Sequence, residues 1–324
     1  MTVKTRAFWV AAPGRGELRE EEISVESYDD RVVVRALYSA ISRGTESLVF
    51  HGQVPESEFA RMRCPFQQGD FPAPVKYGYA SVGIVEAGPE NLSGREVFCL
   101  YPHQERYQVP AGAVHVLPDG VPASRAVLAA NMETALNGIW DSRIGPGDKV
   151  VIIGAGVVGA LCAWLAGRIP GTETTLVDID PNRRPLAESL GVQFALPEQA
   201  PSEQDVVIHA SGAQAGLARA LQLAGDEAMI AEMSWYGARQ PRLALGESFH
   251  SRRLTLRSSQ VGQLPVERRS RWDHRRRMAK ALELLVDPVL DGLISGESAF
   301  SELPRIMPKL VESADQVLCH RVVY

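Results

Sequence analysis

Residues 149–159 read Lys149-Val150-Val151-Ile152-Ile153-Gly154-Ala155-Gly156-Val157-Val158-Gly159. Four β-branched residues in succession favour a buried strand, and the apolar run VVGALCAWLAG that follows favours a helix. A Gly-x-Gly-x-x-Gly pattern is weak evidence alone, but between a strand and a helix it marks a dinucleotide-binding turn. In that reading Gly154 permits the tight turn, and Gly156 lets the backbone approach a pyrophosphate. Gly159 allows the helix to pack closely on the strand. Val157 and Val158 open the helix, whose unpaired N–H groups and positive dipole end face the phosphates.

The next apolar run, TTLVDI, brings Asp178 to its end, 19 residues after Gly159. A carboxylate there suits the adenosine ribose hydroxyls and repels a 2′-phosphate, so NAD(H) is favoured over NADP(H). Arg183 and Arg184 follow closely and leave open a contact with the adenine or a phosphate. Further strands are expected at 205–211, 228–233 and 253–258, with helices over 157–168, 181–190 and 213–224. Alternation of apolar strands with helices predicts a parallel sheet covered on both faces. Ligands on such sheets bind at the carboxyl ends of the strands. Ser211 in HASG and Ser234 in SWYG are therefore expected beside the cofactor.

The first 120 residues have a different pattern. VVVRALYSAIS, YASVGIVEAG, REVFCL and ERYQVP are short strand candidates punctuated by Gly and Pro. One helix is expected over 122–140 and a strongly charged one over 264–287; a helix and a final strand, QVLCHRVVY, close the chain. The expected architecture is α/β: a β-rich domain over 1–121, a doubly wound domain over 122–258, and a return to the first over 259–324. With 324 residues, 45% hydrophobic and 23% charged, the chain has a globular composition. The net charge of −5 argues against nucleic-acid binding, and the six arginines of 268–277 read as a solvated helix face. The N-terminus is too polar for a signal peptide, and no apolar run reaches membrane-spanning length. Four scattered cysteines without a CxxC pair suggest a cytoplasmic protein with reduced thiols.

GPGDKVVIIGAGVVG, VDIDPNRR and ESLGV together resemble the medium-chain dehydrogenase/reductase superfamily, the zinc-type alcohol dehydrogenase-like proteins. ALYSAISRGTE and PVKYGYASVGIVEAG are similar to its two active-site segments, in order and spacing. The resemblance covers nearly the whole chain. It implies a GroES-like substrate domain, an inserted Rossmann domain, a small-molecule substrate in a cleft between them, and a homodimer. Within the superfamily, SAISRGTE with GYASVG is most similar to the bacteriochlorophyllide a dehydrogenase-like branch.

The chain departs from the family where the family binds its catalytic zinc. By the resemblance the three ligand positions fall at Arg43, Tyr79 and Ala130, and the cysteine-rich structural-zinc lobe is missing. Arginine stays protonated and cannot ligate a metal. A metal-free site is therefore expected, in which side chains bind the developing oxyanion and move the proton. Thr45 matches the family's hydroxyl residue, and Tyr79 stands in a ligand position with a phenol to donate. His103 lies on a candidate cleft loop, and histidine is the residue type best suited to proton transfer. Glu46 and Arg43 are expected to pair with each other or with Glu133. Ser259 and Gln260 are further candidates for the pocket lining. Hydride transfer between an alcohol and a carbonyl is the leading expectation. Reduction of an activated C=C bond, or dinucleotide binding without turnover, are the alternatives.

Overall fold

The computed structural model describes residues 2–24, 30–312 and 317–324. In chain order the first elements are β1 (Thr2–Ala12), β2 (Arg15–Ser24), β3 (Arg31–Ile41), α1 (Arg43–Phe50), β4 (Gln68–Gly69), β5 (Val75–Lys76) and β6 (Ser81–Ala87). Then come β7 (Glu96–Cys99), β8 (Arg106–Pro110), β9 (Val114–Val116), α2 (Ala123–Ala126) and α3 (Ala129–Ser142). The alternating stretch is β10 (Lys149–Ile153), α4 (Val157–Ala166), β11 (Glu173–Val177), α5 (Arg184–Ser189), β12 (Gln193–Ala195), β13 (Gln204–His209), α6 (Gln214–Leu223), β14 (Ala224–Glu232), α7 (Ser248–Ser251) and β15 (Thr255–Ser258). It is followed by α8 (His274–Leu284), β16 (Ile294–Ala299), α9 (Leu303–Glu312) and β17 (Cys319–Val323). Two compact units result, Met1–Ala130 with Met278–Tyr324, and Asn131–Arg277.

In the second unit the strand order is β12-β11-β10-β13-β14-β15, and every pairing is parallel. This is the doubly wound order, with its reversal between β10 and β13. Val150, Val151 and Ile152 of β10 are fully buried, as a strand covered on both faces requires. Helix α4 is apolar all round because it lies in the interior: Ala160, Leu161, Cys162 and Ala163 are each fully buried.

The first unit is β-rich. Among the described residues its strands form one sheet in the order β2-β1-β5-β4 and a second in the order β16-β17-β3-β6-β7-β9, with β8 also pairing β3. Alternating apolar residues of β3, β6, β7 and β8 meet in a core of Val32, Val34, Val85, Val97 and Val109. Tyr101 and Tyr107 stack there at 3.8 Å. Helix α2 is tied to the C-terminal segment of this unit, because Arg125 binds both carboxylate oxygens of Asp291 at 2.7 Å and the carbonyls of Leu285 and Val286. The β1–β2 hairpin also holds a buried cation: Lys76 Nζ donates to Glu21 at 2.8 Å and to Gln104 at 2.7 Å.

Two expectations need correction. The helix expected over 122–140 is two helices, interrupted at Val127 and Leu128. The charged helix expected over 264–287 spans only His274–Leu284. Residues 264–272 fold as turns: Trp272 packs on Trp140 at 4.8 Å, Arg268 lies over the Trp140 ring, and Arg269 donates to the Leu264 carbonyl. Contacts with Trp140 outweigh the local helical preference of an arginine-rich segment.

His320 on β17 is 7% exposed and bonded to Ser298 at 2.8 Å. Burial lowers its pKa from the ordinary 6.5, although Glu297 and Glu302 oppose the shift. The unfolded chain then binds the proton first as pH falls, so stability declines below about pH 6.5. The urea midpoint will fall between pH 7 and pH 5 by more in the wild type than in His320→Gln, and equal declines would refute this.

Candidate functional site

In the first unit, β3 delivers the chain directly into α1; Ser42 is the one residue between them, and Arg43, Gly44, Thr45, Glu46 and Ser47 open the helix. The Ser42 N–H donates to Glu46 Oε1 at 2.8 Å, which closes the first turn of α1 from its own side chain. The Ser42 hydroxyl makes no cap bond to the helix. It is instead hydrogen-bonded, with the Thr45 side chain, to the Tyr79 hydroxyl. Burial, reinforced by the Glu46 charge, pushes the Tyr79 phenol above its ordinary value, so it remains a protonated donor.

Glu46 is 3% exposed, and its Oε2 accepts from His103 Nε2 at 2.9 Å. His103 is 1% exposed, and its Nδ1 meets the Ser39 hydroxyl at 2.7 Å. Ser39 in turn meets the Tyr324 hydroxyl at 3.0 Å. A buried chain thus runs from Glu46 through His103 and Ser39 to the last residue of the sequence. Gly78 makes room for it: its φ is +130°, and a Cβ there would lie 3.0 Å from the His103 ring. Burial pushes the nearby Cys64 thiol up to about 12, so it is not a thiolate near neutral pH.

Thr45, Tyr79, Glu46 and His103 therefore share one site. Glu46 pairs with His103, and Glu133 is bound at 3.1 Å by Arg277, which is 1% exposed and also reaches Asn137 and the Val261 carbonyl. Arg277 lies close enough to neutralise the buried Glu133, and no sequence spacing joins residues 144 positions apart. His103 lies in the loop between β7 and β8 and is buried there. Ser259 donates to Asp141 at 2.8 Å, within the second unit. Ser42, Ser39 and Tyr324 were not singled out by the sequence. Ser42 alone carried a signal, being in the matched turn.

In the second unit the three glycines have different surroundings. Gly154 has φ +107° and lies with the space for a Cβ filled by the Ser211 backbone, 2.7 Å away. A Cβ on Gly156 would meet nothing within 4 Å, which leaves that face of the loop open to a ligand. A Cβ on Gly159 would fall 1.8 Å from the Gly154 carbonyl oxygen. Val157 and Val158 begin α4. Asp178 follows β11 directly, and its carboxylate accepts from the Ala155 N–H at 2.6 Å and the Asp180 N–H at 2.9 Å. It is thereby fixed beside the glycine turn. Arg183 lies 3.6 Å from Asp180. These features fit a dinucleotide.

Ser211 and Ser234 sit just beyond the ends of β13 and β14, around the buried His209. His209 Nδ1 meets Glu232 Oε2 at 2.7 Å, and Nε2 meets the Ser211 hydroxyl at 2.6 Å. The Ser234 hydroxyl accepts from the Gly212 N–H at 3.0 Å. His209 was not singled out by the sequence, where a histidine closing an apolar strand beside Ser211 was the available signal.

The residues at the family's zinc positions do not fit a zinc ion. They supply a guanidinium, a protonated phenol and an alanine. Among the described residues, no group of three or more His, Cys, Asp or Glu side chains could hold a metal ion. No described helix is long and apolar enough to cross a membrane.

No family model matches the chain. Among known proteins it is similar to 2-dehydro-3-deoxy-L-galactonate 5-dehydrogenase of Pseudoalteromonas atlantica, 28% identical over 43% of this chain and 43% of that protein. The chain thus matches less than half the length of that relative. D-guloside 3-dehydrogenase of Escherichia coli is 23% identical over 88% of this chain and 92% of its own. The L-idonate 5-dehydrogenase structure from Escherichia coli superposes with TM-score 0.82 at 15% identity, covering 100% of this chain and 99% of that one. Two further structures reach TM-score 0.78. One is a putative zinc-binding dehydrogenase from Sinorhizobium meliloti bound to NADP, at 19% identity over 99% of this chain and all of that one. The other is a short chain alcohol dehydrogenase from Escherichia coli complexed with NADH, at 15% identity over 99% of each. With a GroES-like β-rich unit and a Rossmann unit, the chain has the fold of these dehydrogenase structures.

Proposed function

We propose that this chain is a zinc-independent, NAD(H)-dependent oxidoreductase that interconverts an alcohol and a carbonyl on a small sugar- or polyol-like substrate. The observation that carries the reading is the hydroxyl cluster of Tyr79, Ser42 and Thr45 beside the buried Glu46–His103 pair. When bound, the dinucleotide would supply or accept the hydride. Tyr79 would donate a hydrogen bond to the substrate oxygen, the task a metal performs in zinc enzymes, while Ser42 and Thr45 donate to the Tyr79 oxygen and orient it. These hydroxyls are weak acids, so none keeps a net charge. Glu46 and His103 are the adjoining groups able to hold a proton, and Ser39 and Tyr324 extend that path. The relatives act, by their names, on sugar acids and sugar derivatives, which supports the substrate class.

Asp178 supports NAD(H), since its fixed carboxylate would repel a 2′-phosphate. Ile179 beside it is 77% exposed and offers an apolar surface for a purine. Asp178→Asn is expected to weaken NADH binding about tenfold, by loss of charge-assisted hydrogen bonds, and to narrow the preference over NADPH. Fluorescence titration of both cofactors checks this, and an unchanged NADH affinity would count against it. The four cysteines are buried and unpaired, which supports a reducing, cytoplasmic setting. A homodimer remains part of the proposal, to be checked by sedimentation.

The deciding experiment mixes purified protein and NADH with a panel of keto-sugars, keto-acids and enones. Oxidation with the keto compounds is the expected result. Binding of NADH without any oxidation would leave a dinucleotide-binding protein instead, and activity confined to enones would favour C=C reduction. One zinc per chain by metal analysis would remove the zinc-independent reading.

A further inference from the structure

Ser211, His209 and Glu232 form a bonded series at the carboxyl end of the second unit's sheet. His209 is fully buried, whereas Ser211 is exposed. Glu232 also accepts from the Ser234 N–H at 2.7 Å and the Tyr236 hydroxyl at 3.1 Å. As a carboxylate it only accepts, so the 2.7 Å contact with His209 requires a proton on Nδ1. In the neutral ring Nε2 is then an acceptor, and the Ser211 hydroxyl donates to it at 2.6 Å. The Ala213 N–H donates to Ser211 Oγ at 3.2 Å. A hydroxyl has one proton and two lone pairs. With the proton given to His209 and one lone pair to Ala213, a single acceptor position remains. Gly216 permits the arrangement, since a Cβ there would lie 2.4 Å from Ser211 Oγ and 2.7 Å from His209 Nε2.

The location says what that lone pair meets. The Ser211 backbone lies against Gly154, across the reversal of strand order between β10 and β13. Asp178 stands on the other side of the glycine turn, after β11. A dinucleotide with its adenosine ribose at Asp178 and its pyrophosphate at the glycine turn carries its nicotinamide half over β13.

We propose that the buried His209–Glu232 pair positions Ser211 as a hydrogen-bond acceptor for a donor on the nicotinamide half of the cofactor. This rests on the dinucleotide reading above. The donor is a hydroxyl of the nicotinamide ribose or the carboxamide N–H. A phosphate oxygen is excluded, because it offers no proton to the remaining lone pair. His209 and Glu232 are positioning residues and touch no substrate.

The test compares NADH, ADP-ribose and ADP as ligands by calorimetry, with wild type, Ser211→Ala and His209→Leu. Both variants are expected to bind NADH about fivefold more weakly, the worth of one neutral hydrogen bond. Affinity for ADP, which lacks the nicotinamide half, stays unchanged. An equal loss for ADP-ribose identifies the ribose hydroxyl as the donor, and a loss for NADH alone identifies the carboxamide. Ser211→Thr restores binding. Equal weakening of ADP would mean a merely structural role and overturn the proposal, as would unchanged NADH affinity in Ser211→Ala. Covalent labelling of Ser211 by a fluorophosphonate would overturn it too, by showing a nucleophile in place of an acceptor. Failure of wild type to bind NADH or ADP at all would refute the dinucleotide reading itself.

Discussion

Tyr79→Phe will lower kcat/KM for carbonyl reduction by about a hundredfold and leave NADH affinity unchanged, the scale expected for one lost donor to a developing oxyanion. The substitution is clean. Phenylalanine keeps the ring and its edge contact with Tyr77 at 6.0 Å, and removes only the oxygen that Ser42 and Thr45 bind. In a zinc enzyme the metal stabilises the oxyanion, and a neighbouring phenol matters little. In the proposed zinc-independent site the positions that the resemblance gives to ligands hold Arg43, Tyr79 and Ala130, which would leave the burden to the hydroxyls. Burial and the Glu46 charge keep the phenol protonated, so its donor role persists across the neutral range. A steady-state rate within threefold of wild type would remove Tyr79 from the chemistry. A fall in NADH affinity of the same size would show that the residue supports the fold instead.

Gly159→Ala has the second large effect, and a companion substitution separates its causes. A Cβ at 159 would lie 1.8 Å from the Gly154 carbonyl oxygen, a backbone atom that cannot rotate away. Helix α4 must shift off the glycine turn, which costs about 2 kcal/mol of stability as an overpacked contact. The same shift moves the helix N-terminus that in the proposed site would face the pyrophosphate, so NADH binding is expected to fall by about a hundredfold or more, with both hydrogen bonds and dipole misdirected. At Gly156 a Cβ meets nothing in the protein. Gly156→Ala therefore keeps the wild-type melting temperature and loses affinity, because the methyl occupies space meant for the ligand. Loss of stability at 156, or full NADH affinity at 159, would contradict these roles.

Much of the Rossmann unit was legible because its information is local. Strand β10, the glycine turn and α4 follow one another directly, so β-branching, glycine spacing and apolar helix composition all bear on the same 18 residues. Asp178 is fixed by the length of one helix and one strand. The β-rich unit was legible as strands, but its two sheets were not. β17 pairs with β3 across nearly the whole sequence, and no spacing encodes such a pairing. The β1–β2 hairpin and β16 were not singled out. The charged segment at 264–272 misled because its helical appearance ignores Trp140, which lies more than 120 positions away.

The fold class and the glycine turn with the acid that follows it could be read from the residues alone. Each depends on residue type or on short, fixed separations. Which polar groups act together follows from the packing of segments far apart in the chain. That packing joined Thr45 and Ser42 to Tyr79, buried His103 against Glu46, extended that pair to Tyr324, and placed His209 and Glu232 behind Ser211. The physical reason is the cost of burying an unpaired polar group. Each of these side chains must find a partner within about 3 Å, and the backbone of distant segments dictates which partner is there.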